Sequence, residues 1–307
     1  MRPLVSIIVP VYNTPFTYVR ECLSSVVAQT LRGVVELVVF DDGSTPEYKR
    51  QLKHLLNEVE HEMSVLFGKT EENRGLCHAR NDAVRMASGE YVLFLDSDDV
   101  LDPTIVEKCV KAFTDEIVLM YTNHIKVSVD GKSVIHQRDK RVYQGLLRQF
   151  KGTVFDPLLH CTFIFHCQVI RRSEFLKLGG LRTDLGYGDE VDMHLRLSEL
   201  SPAVNFALIP ETLYYYRDNP DSIVNKPDLY VRLIENIERI IVEAAQRREF
   251  DVQRAKRIGR ALPTHAAHYV LLNSDGARIE APYFDYETCR LKPEYFSGLD
   301  TVPEHPK

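Results

Sequence analysis

Tyr91, Val92, Leu93, Phe94 and Leu95 run directly into Asp96, Ser97, Asp98 and Asp99. An unbroken apolar run of this length reads as a buried parallel strand, and open α/β sheets bind ligands just beyond the carboxyl ends of such strands. Carboxylates flanking Ser97 at that place suit a hard divalent cation that keeps waters and shares phosphate oxygens. The competing reading is a solvated acidic loop, since carboxylates also prefer water and helix N-termini.

Two further strand ends carry polar clusters. Ser6 to Val11 leads into Tyr12 and Asn13, and a second apolar run ends in Phe40-Asp41-Asp42-Gly43-Ser44. All three would meet on one rim of a parallel sheet. A second pair of acids, Asp189-Glu190, precedes the apolar spacing Met193, Leu195, Leu197, Leu200 of a helix. An acid in a first helical turn is kept ionised by the helix dipole, as a general base must be, although plain N-terminal charge decoration gives the same pattern. No GxGxxG follows the first strand and no GKS or GKT loop occurs, so a dinucleotide site and a P-loop are poorly supported.

The elements that must hold these residues alternate regularly. Leu4 to Val11 is expected as a strand, followed by a helix capped by Thr14-Pro15 with Val19, Cys22, Leu23, Val26 and Val27 on its apolar face. Val34 to Phe40 is the next strand. Ser44 with Glu47 reads as a capping box, Pro46 starts the helix, and Leu52, Leu55, Leu56 and Val59 form its stripe. A strand at 65–67, a helix at 76–86 and the strand at 91–95 complete an alternation that implies a parallel sheet. After a helix capped by Asp102-Pro103 the pattern changes. A hairpin about Asp130-Gly131 and strands at 162–170, 205–209 and 212–217 follow without regular crossover helices, giving a mixed α+β region suited to a second substrate. From Asp228 to Ala245 a long amphipathic helix carries Leu229, Leu233, Ile237, Ile240, Ile241, Ala244 and Ala245. Core packing explains that stripe most simply; a homodimer contact or a membrane surface also fits it. The segment 268–286 holds an Asn273-Ser274-Asp275-Gly276 turn and the aromatics Tyr283, Phe284 and Tyr286, read as a packed flap or an acceptor shelf.

With 307 residues, 44% hydrophobic, the chain can bury a large core, and a net charge of −6 argues against a nucleic-acid partner. No early stretch reads as a signal peptide and no apolar run approaches a membrane span of roughly 20 residues, so the expected location is cytoplasmic, with room for a peripheral contact at the inner membrane face. The six cysteines include no CxxC pair and read as reduced core residues. His160-Cys161 and His166-Cys167 could supply zinc ligands, but their spacing fits no usual zinc pattern.

The order of blocks SIIVPVYN, VVFDDGS, ENRGLCHARN, GEYVLFLDSDD, GGLRTDLGYGDEVDMHLRL and YYYRDNPDSI resembles that of the family 2 glycosyltransferases, and the resemblance spans roughly residues 4 to 222. It implies an α/β chain of GT-A type: a Rossmann-like, mostly parallel sheet, a mixed α+β acceptor half and a C-terminal helical extension. On that scheme residues 1–102 form the nucleotide-sugar half, 103–225 the acceptor and catalytic half, and 226–307 the extension with its small hairpin or flap. The implied activity is metal-dependent, inverting transfer of a hexose or N-acetylhexosamine from a UDP-sugar. The acceptor would be a hydroxyl of a glycan, lipid-linked or other molecule, in the synthesis of surface polysaccharide or glycoconjugate. Pro10, Val11, Tyr12 and Asn13 would border the nucleotide, Asp41 would accept from the pyrimidine amide, and Arg80 would lie by the phosphates. Asp96 and Ser97 would lie by the ribose, Arg217 would be a second cation and Ser222 would close the donor site. Asp98 would bind Mn2+ or Mg2+, and Glu190, with Asp189 beside it, would be the base.

Two departures matter. The family's acidic pair reads Glu-Asp where this chain has Asp189-Glu190, placing a longer carboxylate at the base position. The family's late block often has a histidine where Asn219 stands; an amide oxygen ligates more weakly, and Asp218 or His166 are alternatives. Two rival readings remain: a nucleotide-sugar-binding scaffold without activity, and a haloacid-dehalogenase-like phosphatase read from Asp96-x-Asp98-x-Val100. The second lacks its later acidic partners, since Met193 stands where the required acid would be.

Overall fold

A computed structural model describes residues 3–131, 134–137, 167–200, 205–219 and 227–249, with short strand segments at 271–272, 278–279, 284–285 and 290–291. The first half alternates as its periodicity requires: β1 (Val5–Val11), α1 (Phe16–Val27), β2 (Val35–Asp42), α2 (Pro46–Glu60), β3 (Ser64–Thr70), α3 (Leu76–Met86) and β4 (Tyr91–Phe94). β1 pairs in parallel with β2 and β4, and β2 with β3. The second half contains β5 (Val100–Leu101), α4 (Ile105–Ala112), β6 (Ile117–Val127), β7 (Val134–Gln137), β8 (Gln168–Arg171), α5 (Arg172–Lys177), α6 (Asp189–Glu199), β9 (Asn205–Arg217) and α7 (Pro227–Arg247). One sheet runs β3-β2-β1-β4-β8-β6-β9-β5, with β7 beside β6. Its direction changes at β4, which pairs antiparallel with β8.

Alternate side chains of these strands serve two cores. Val5, Ile7, Val9, Leu37, Val39, Leu93 and Met120 pack with the buried faces of α1, α2 and α4. Ile8, Val38, Val92, Phe94, Leu119 and Ile170 pack with α3, α5, α6 and α7. Helices cover both faces, which is why the central strands read as continuous apolar runs rather than alternating ones.

Several local expectations are corrected. Thr45, not Ser44, caps α2: its hydroxyl accepts from Tyr48 N at 3.2 Å. Ser44 is drawn away because its Oγ accepts from Asn13 N at 2.9 Å. Neither Thr14 nor Pro15 makes a side-chain cap on α1. The two strands expected at 205–209 and 212–217 are one strand, β9, whose register against β6 shifts near Asn123. The hairpin about Asp130-Gly131 joins β6 to β7, and the stripe Ile237 to Ala245 packs within the chain's own core. Two small ladders, Leu271↔Ile279 with Leu272↔Arg278 and Phe284↔Leu291 with Asp285↔Arg290, fall in the region expected to form a flap. Leu229, Leu233, the 273–276 turn residues, Tyr283, Tyr286 and the His160-Cys161 pair lie outside what the structure describes in side-chain detail. Cys22, Cys77, Cys109 and Cys167 are free and buried.

The loop before α6 is tied down from both sides. Asn81 on α3 donates to Leu181 O and accepts from Leu181 N, both at 2.8 Å. Asp192, fully buried, accepts from Arg196 at 2.6 Å and from Arg182 at 3.4 Å. Asn81→Ala leaves two buried backbone groups unpaired, so it should lower unfolding free energy by about 2 kcal/mol. Urea denaturation measures this; an unchanged midpoint would show that the α3 tie bears no load.

Candidate active site at the strand-end rim

The rim is built by the carboxyl ends of β1, β2 and β4. Parallel register sets Val11 beside Asp41 and Ile8 beside Phe94, so the loops that follow meet. Pro10 and Val11 are buried within β1, and the Tyr12 ring, 50% exposed, stands at the edge. Asn13 adopts a left-handed φ of 47°, a conformation asparagine tolerates better than most side chains. Its amide oxygen accepts from Thr45 N at 3.0 Å, and its own N–H donates to Ser44. Gly43, at φ 78°, lets the β2 loop pass so close to Glu72 that a Cβ would sit 2.3 Å from a backbone carbon. Asp42 accepts from Gly75 N at 2.7 Å and Arg74 N at 3.0 Å, which anchors the start of α3.

Asp41 is fully buried. One carboxylate oxygen accepts from Ser44 N at 3.2 Å. The other is buried without a hydrogen-bond partner, and Lys49 on α2 stands 3.8 Å away. Lys49 escaped the sequence reading because it lies on the polar face of an ordinary amphipathic helix.

Arg80 on α3 brings the two halves together. Its guanidinium, 4% exposed, donates to Asp96 Oδ1 at 2.7 Å and to Glu190 Oε1 at 2.8 Å, beneath the Phe94 ring. Burial opposes the charge, but Asp96, Glu190 and Asp189 outweigh it and keep the guanidinium protonated. Gly188, left-handed at φ 78°, turns the chain into α6 so that Asp189, Glu190 and Asp192 occupy its first turn. The second oxygen of Glu190 accepts from Gln168 Nε2 at 2.9 Å. Asp189 faces the Cys77 thiol, and its Oδ2 is buried without a partner. Burial first, and the neighbouring Glu190 charge second, lift its pKa from the ordinary 3.8 to about 6.

The acids after β4 divide their work. Ser97 Oγ and Thr14 Oγ1 share a hydrogen bond of 2.7 Å. Asp98 accepts from Asn219 Nδ2 at 3.0 Å; burial, then the charge of Asp96, raises its pKa. Asp99, which sequence reasoning did not single out, is wholly buried and accepts from Tyr214 OH at 2.6 Å and Arg217 N at 2.8 Å. No local pattern distinguishes it from Asp98, because its partners lie more than a hundred residues away on β9.

Arg217, expected as a second cation, is held on three sides by the chain. Its Nε donates to Asp98 O at 2.8 Å, Nη1 to Val129 O at 2.6 Å and Nη2 to Glu21 at 2.5 Å, and the group stacks 4.6 Å from the Tyr18 ring centre. It clamps the acidic loop instead of facing open space. Asp218 pairs with Lys126 at 2.5 Å. Ser222 and His166 lie outside the described residues. Among the described residues no three His, Cys, Asp or Glu side chains converge as a metal cage. A cleft of about 510 Å³ elsewhere is lined by Arg74, His78, Arg85, Leu181, Arg182 and Arg196. Its arginines are matched by Asp82, Asp184, Asp192 and Glu243.

This parallel half-sheet, with acids at its strand ends and a carboxylate-bearing helix facing them, is the GT-A arrangement. The family model for glycosyl transferase family 2 matches residues 6–179, more than half of the chain, and the protein belongs to that family. A chondroitin synthase from Escherichia coli is 30% identical over 203 residues, which are 65% of this chain and 27% of the synthase. The glycosyltransferase EpsJ of Bacillus subtilis is 27% identical over 234 residues, 74% of this chain and 64% of that one. The chain thus spans under two thirds of the length of these relatives. S. aureus TarS 1-349 in complex with UDP superposes with a TM-score of 0.60 at 19% identity, covering 86% of this chain and 71% of that one. The mannosyltransferase PcManGT from Pyrobaculum calidifontis, in complex with GDP-Man and Mn2+, superposes with 0.60 at 18% identity, covering 87% and 74%. No helix among the described residues is long and apolar enough to cross a membrane.

The raised pKa of Asp189 has a signed consequence for stability. The native state holds this proton more tightly than the unfolded chain, so the contribution is fully present below about pH 4 and is lost as pH rises through about 6. Asp189→Asn should therefore be more stable than wild type at neutral pH, by about 1–2 kcal/mol, and gain nothing near pH 4. Denaturant titrations at the two pH values decide it: a variant less stable at neutral pH contradicts the burial argument.

Proposed function

We propose that the protein transfers a hexose or N-acetylhexosamine from a UDP-sugar to an acceptor hydroxyl with inversion, in the assembly of a polysaccharide or glycoconjugate. The observation that carries the donor assignment is the buried oxygen of Asp41 that accepts no hydrogen bond, with Lys49 as countercharge 3.8 Å away. A buried carboxylate oxygen without a hydrogen-bond donor is costly unless a ligand completes it, and the N3 proton of uracil is a donor that cytosine lacks. Tyr12 offers a face for the base, and Asp96 an oxygen for the ribose. Relatives that assemble polysaccharides, the chondroitin synthase among them, support the wider role.

The carboxylate of Asp98, joined by the amide oxygen of Asn219 once that amide turns from its Nδ2 contact with Asp98, would hold a divalent ion as hard oxygen donors, in an acidic loop where burial first and neighbouring charge second raise the pKa of Asp98 and Asp99. Such an ion, Mn2+ or Mg2+, would neutralise charge growing on the leaving diphosphate. The chain's own residues do the rest. The acceptor oxygen attacks the anomeric carbon on the face opposite the diphosphate, the bond to the β-phosphate oxygen breaks, and Glu190 takes the hydroxyl proton. Arg80 donates to Glu190 and to Asp96 and fixes one relative to the other, so donor and base are set by one cation.

One observation favours a second reading, a donor-binding scaffold without turnover: both oxygens of Glu190 already accept hydrogen bonds. UDP binding without UDP release, across a panel of sugars and acceptors, would establish that reading.

Calorimetric titration with manganese present tests the donor site. UDP should bind more tightly than CDP or GDP, Asp41→Asn should weaken UDP by about tenfold, and Asp98→Ala should abolish only the manganese-dependent part. Preference for GDP, the nucleotide of the PcManGT complex, would overturn the uracil assignment.

Single-turnover transfer tests the base. Glu190→Gln should lower the rate by about 10² to 10⁴ with UDP affinity nearly unchanged, and Asp189→Asn should cost less. If Asp189→Asn is the more damaged variant, the base is Asp189.

A further inference from the structure

Behind Glu190 lies a polar run whose first member, Gln168, stands in none of the sequence blocks. Gln168, 1% exposed at the start of β8, donates from Nε2 to Glu190 Oε2 at 2.9 Å, and its Oε1 lies 2.9 Å from His194 Nε2. His194, on α6 with Glu190, is also fully buried. The two contacts determine each other. An ionised Glu190 can only accept, so the Gln168 amide must present its NH2 there and its oxygen to His194, whose Nε2 must then carry a proton. The residue before Gln168 supplies a second observation. Cys167 is a buried, non-glycine residue in the left-handed region at φ 66°, held by Thr122 N donating to its carbonyl at 3.3 Å. Strain of this kind persists only where surrounding structure over-determines it, and here it sets the direction in which β8 begins.

We propose that Gln168 is the positioning residue for the catalytic base: with His194 fixing its amide and Arg80 on the opposite oxygen, it locks the Glu190 carboxylate in one orientation. This rests on the reading of Glu190 as base. A carboxylate gripped from one side by a guanidinium can still pivot about its side-chain torsions; a second donor on the other oxygen removes that freedom. The grip also explains how a glutamate serves at a position where the family's pair ends in aspartate. The longer side chain has one more rotatable bond, and Gln168 restrains it. The second bond is no obstacle to proton transfer, because each carboxylate oxygen has a further lone pair free.

The test uses the full chain and UDP release from UDP-glucose, UDP-galactose, UDP-GlcNAc and UDP-GalNAc, with water as acceptor and UDP affinity measured in parallel. Gln168→Leu should lower kcat for the fastest donor by about tenfold while UDP affinity stays within about twofold. In a Glu190→Gln background the same change should cost less than about twofold, because the side chain it orients no longer accepts protons. Should Gln168→Leu fold poorly because it removes the His194 contact, Gln168→Leu/His194→Leu removes both polar side chains and keeps the comparison. Unchanged kcat, an equal loss in both backgrounds, or a parallel loss of UDP affinity would overturn the proposal. If Glu190→Gln itself keeps wild-type kcat, or wild type releases no UDP from any donor, the base assignment fails and the positioning role falls with it.

Discussion

A guanidinium enclosed to the degree of Arg80 needs countercharge on both sides, and Asp96 and Glu190 supply it from opposite halves of the sheet. Removing one partner of such a buried pair typically costs about 3–5 kcal/mol, because the remaining charge is stranded. The contact therefore constrains more than two side chains. It sets how far α6 stands from the end of β4, and so the distance between Asp96 and the carboxylate facing it.

The two halves meet this constraint by different means. The parallel half places Asp41 and Asp96 through strand register, which sets Val11 opposite Asp41 and Ile8 opposite Phe94, two residues before Asp96. The second half places Glu190 through a loop tied by Asn81, by the Arg182 and Arg196 pairs on Asp192, and by the turn at Gly188. Register is a backbone property and survives side-chain changes. The loop depends on individual polar side chains, buried at Asn81 and Asp192 and half-buried at Arg182 and Arg196, each of them partnered.

That difference explains what could be read from the sequence. The rim was legible because alternating apolar runs and turn residues are local, and Asp41, Asp96 and Asp98 stand at the ends of such runs. Capping of α2 was misread by one residue because Ser44 is recruited by Asn13, a partner 31 positions away. The contacts of Arg217 gave no local signal for the same reason: nothing near it in sequence announces Glu21, Val129 O or Asp98 O. Gln168 gave no signal at all, being one polar residue in a short strand whose significance depends wholly on α6. β9 was divided in two because Pro210 and Glu211 interrupt an apolar pattern, yet the ladder accommodates them with a register shift beside β6.

The pairing of β9 with β5 and β6 also orders events during synthesis. Asp99 is emptied of water only when it has Tyr214 and the Arg217 backbone as partners, and β5 pairs with β9 at Val100↔Tyr215 and Leu101↔Tyr214. A nascent chain that has produced the first four strands can form their parallel ladders, but it still carries the acidic loop in its hydrated form. The rim is thus encoded early and assembled late. Until residue 217 emerges from the ribosome, the acids after β4 have no buried state to enter, and a premature stop before β9 leaves a folded sheet without a finished rim.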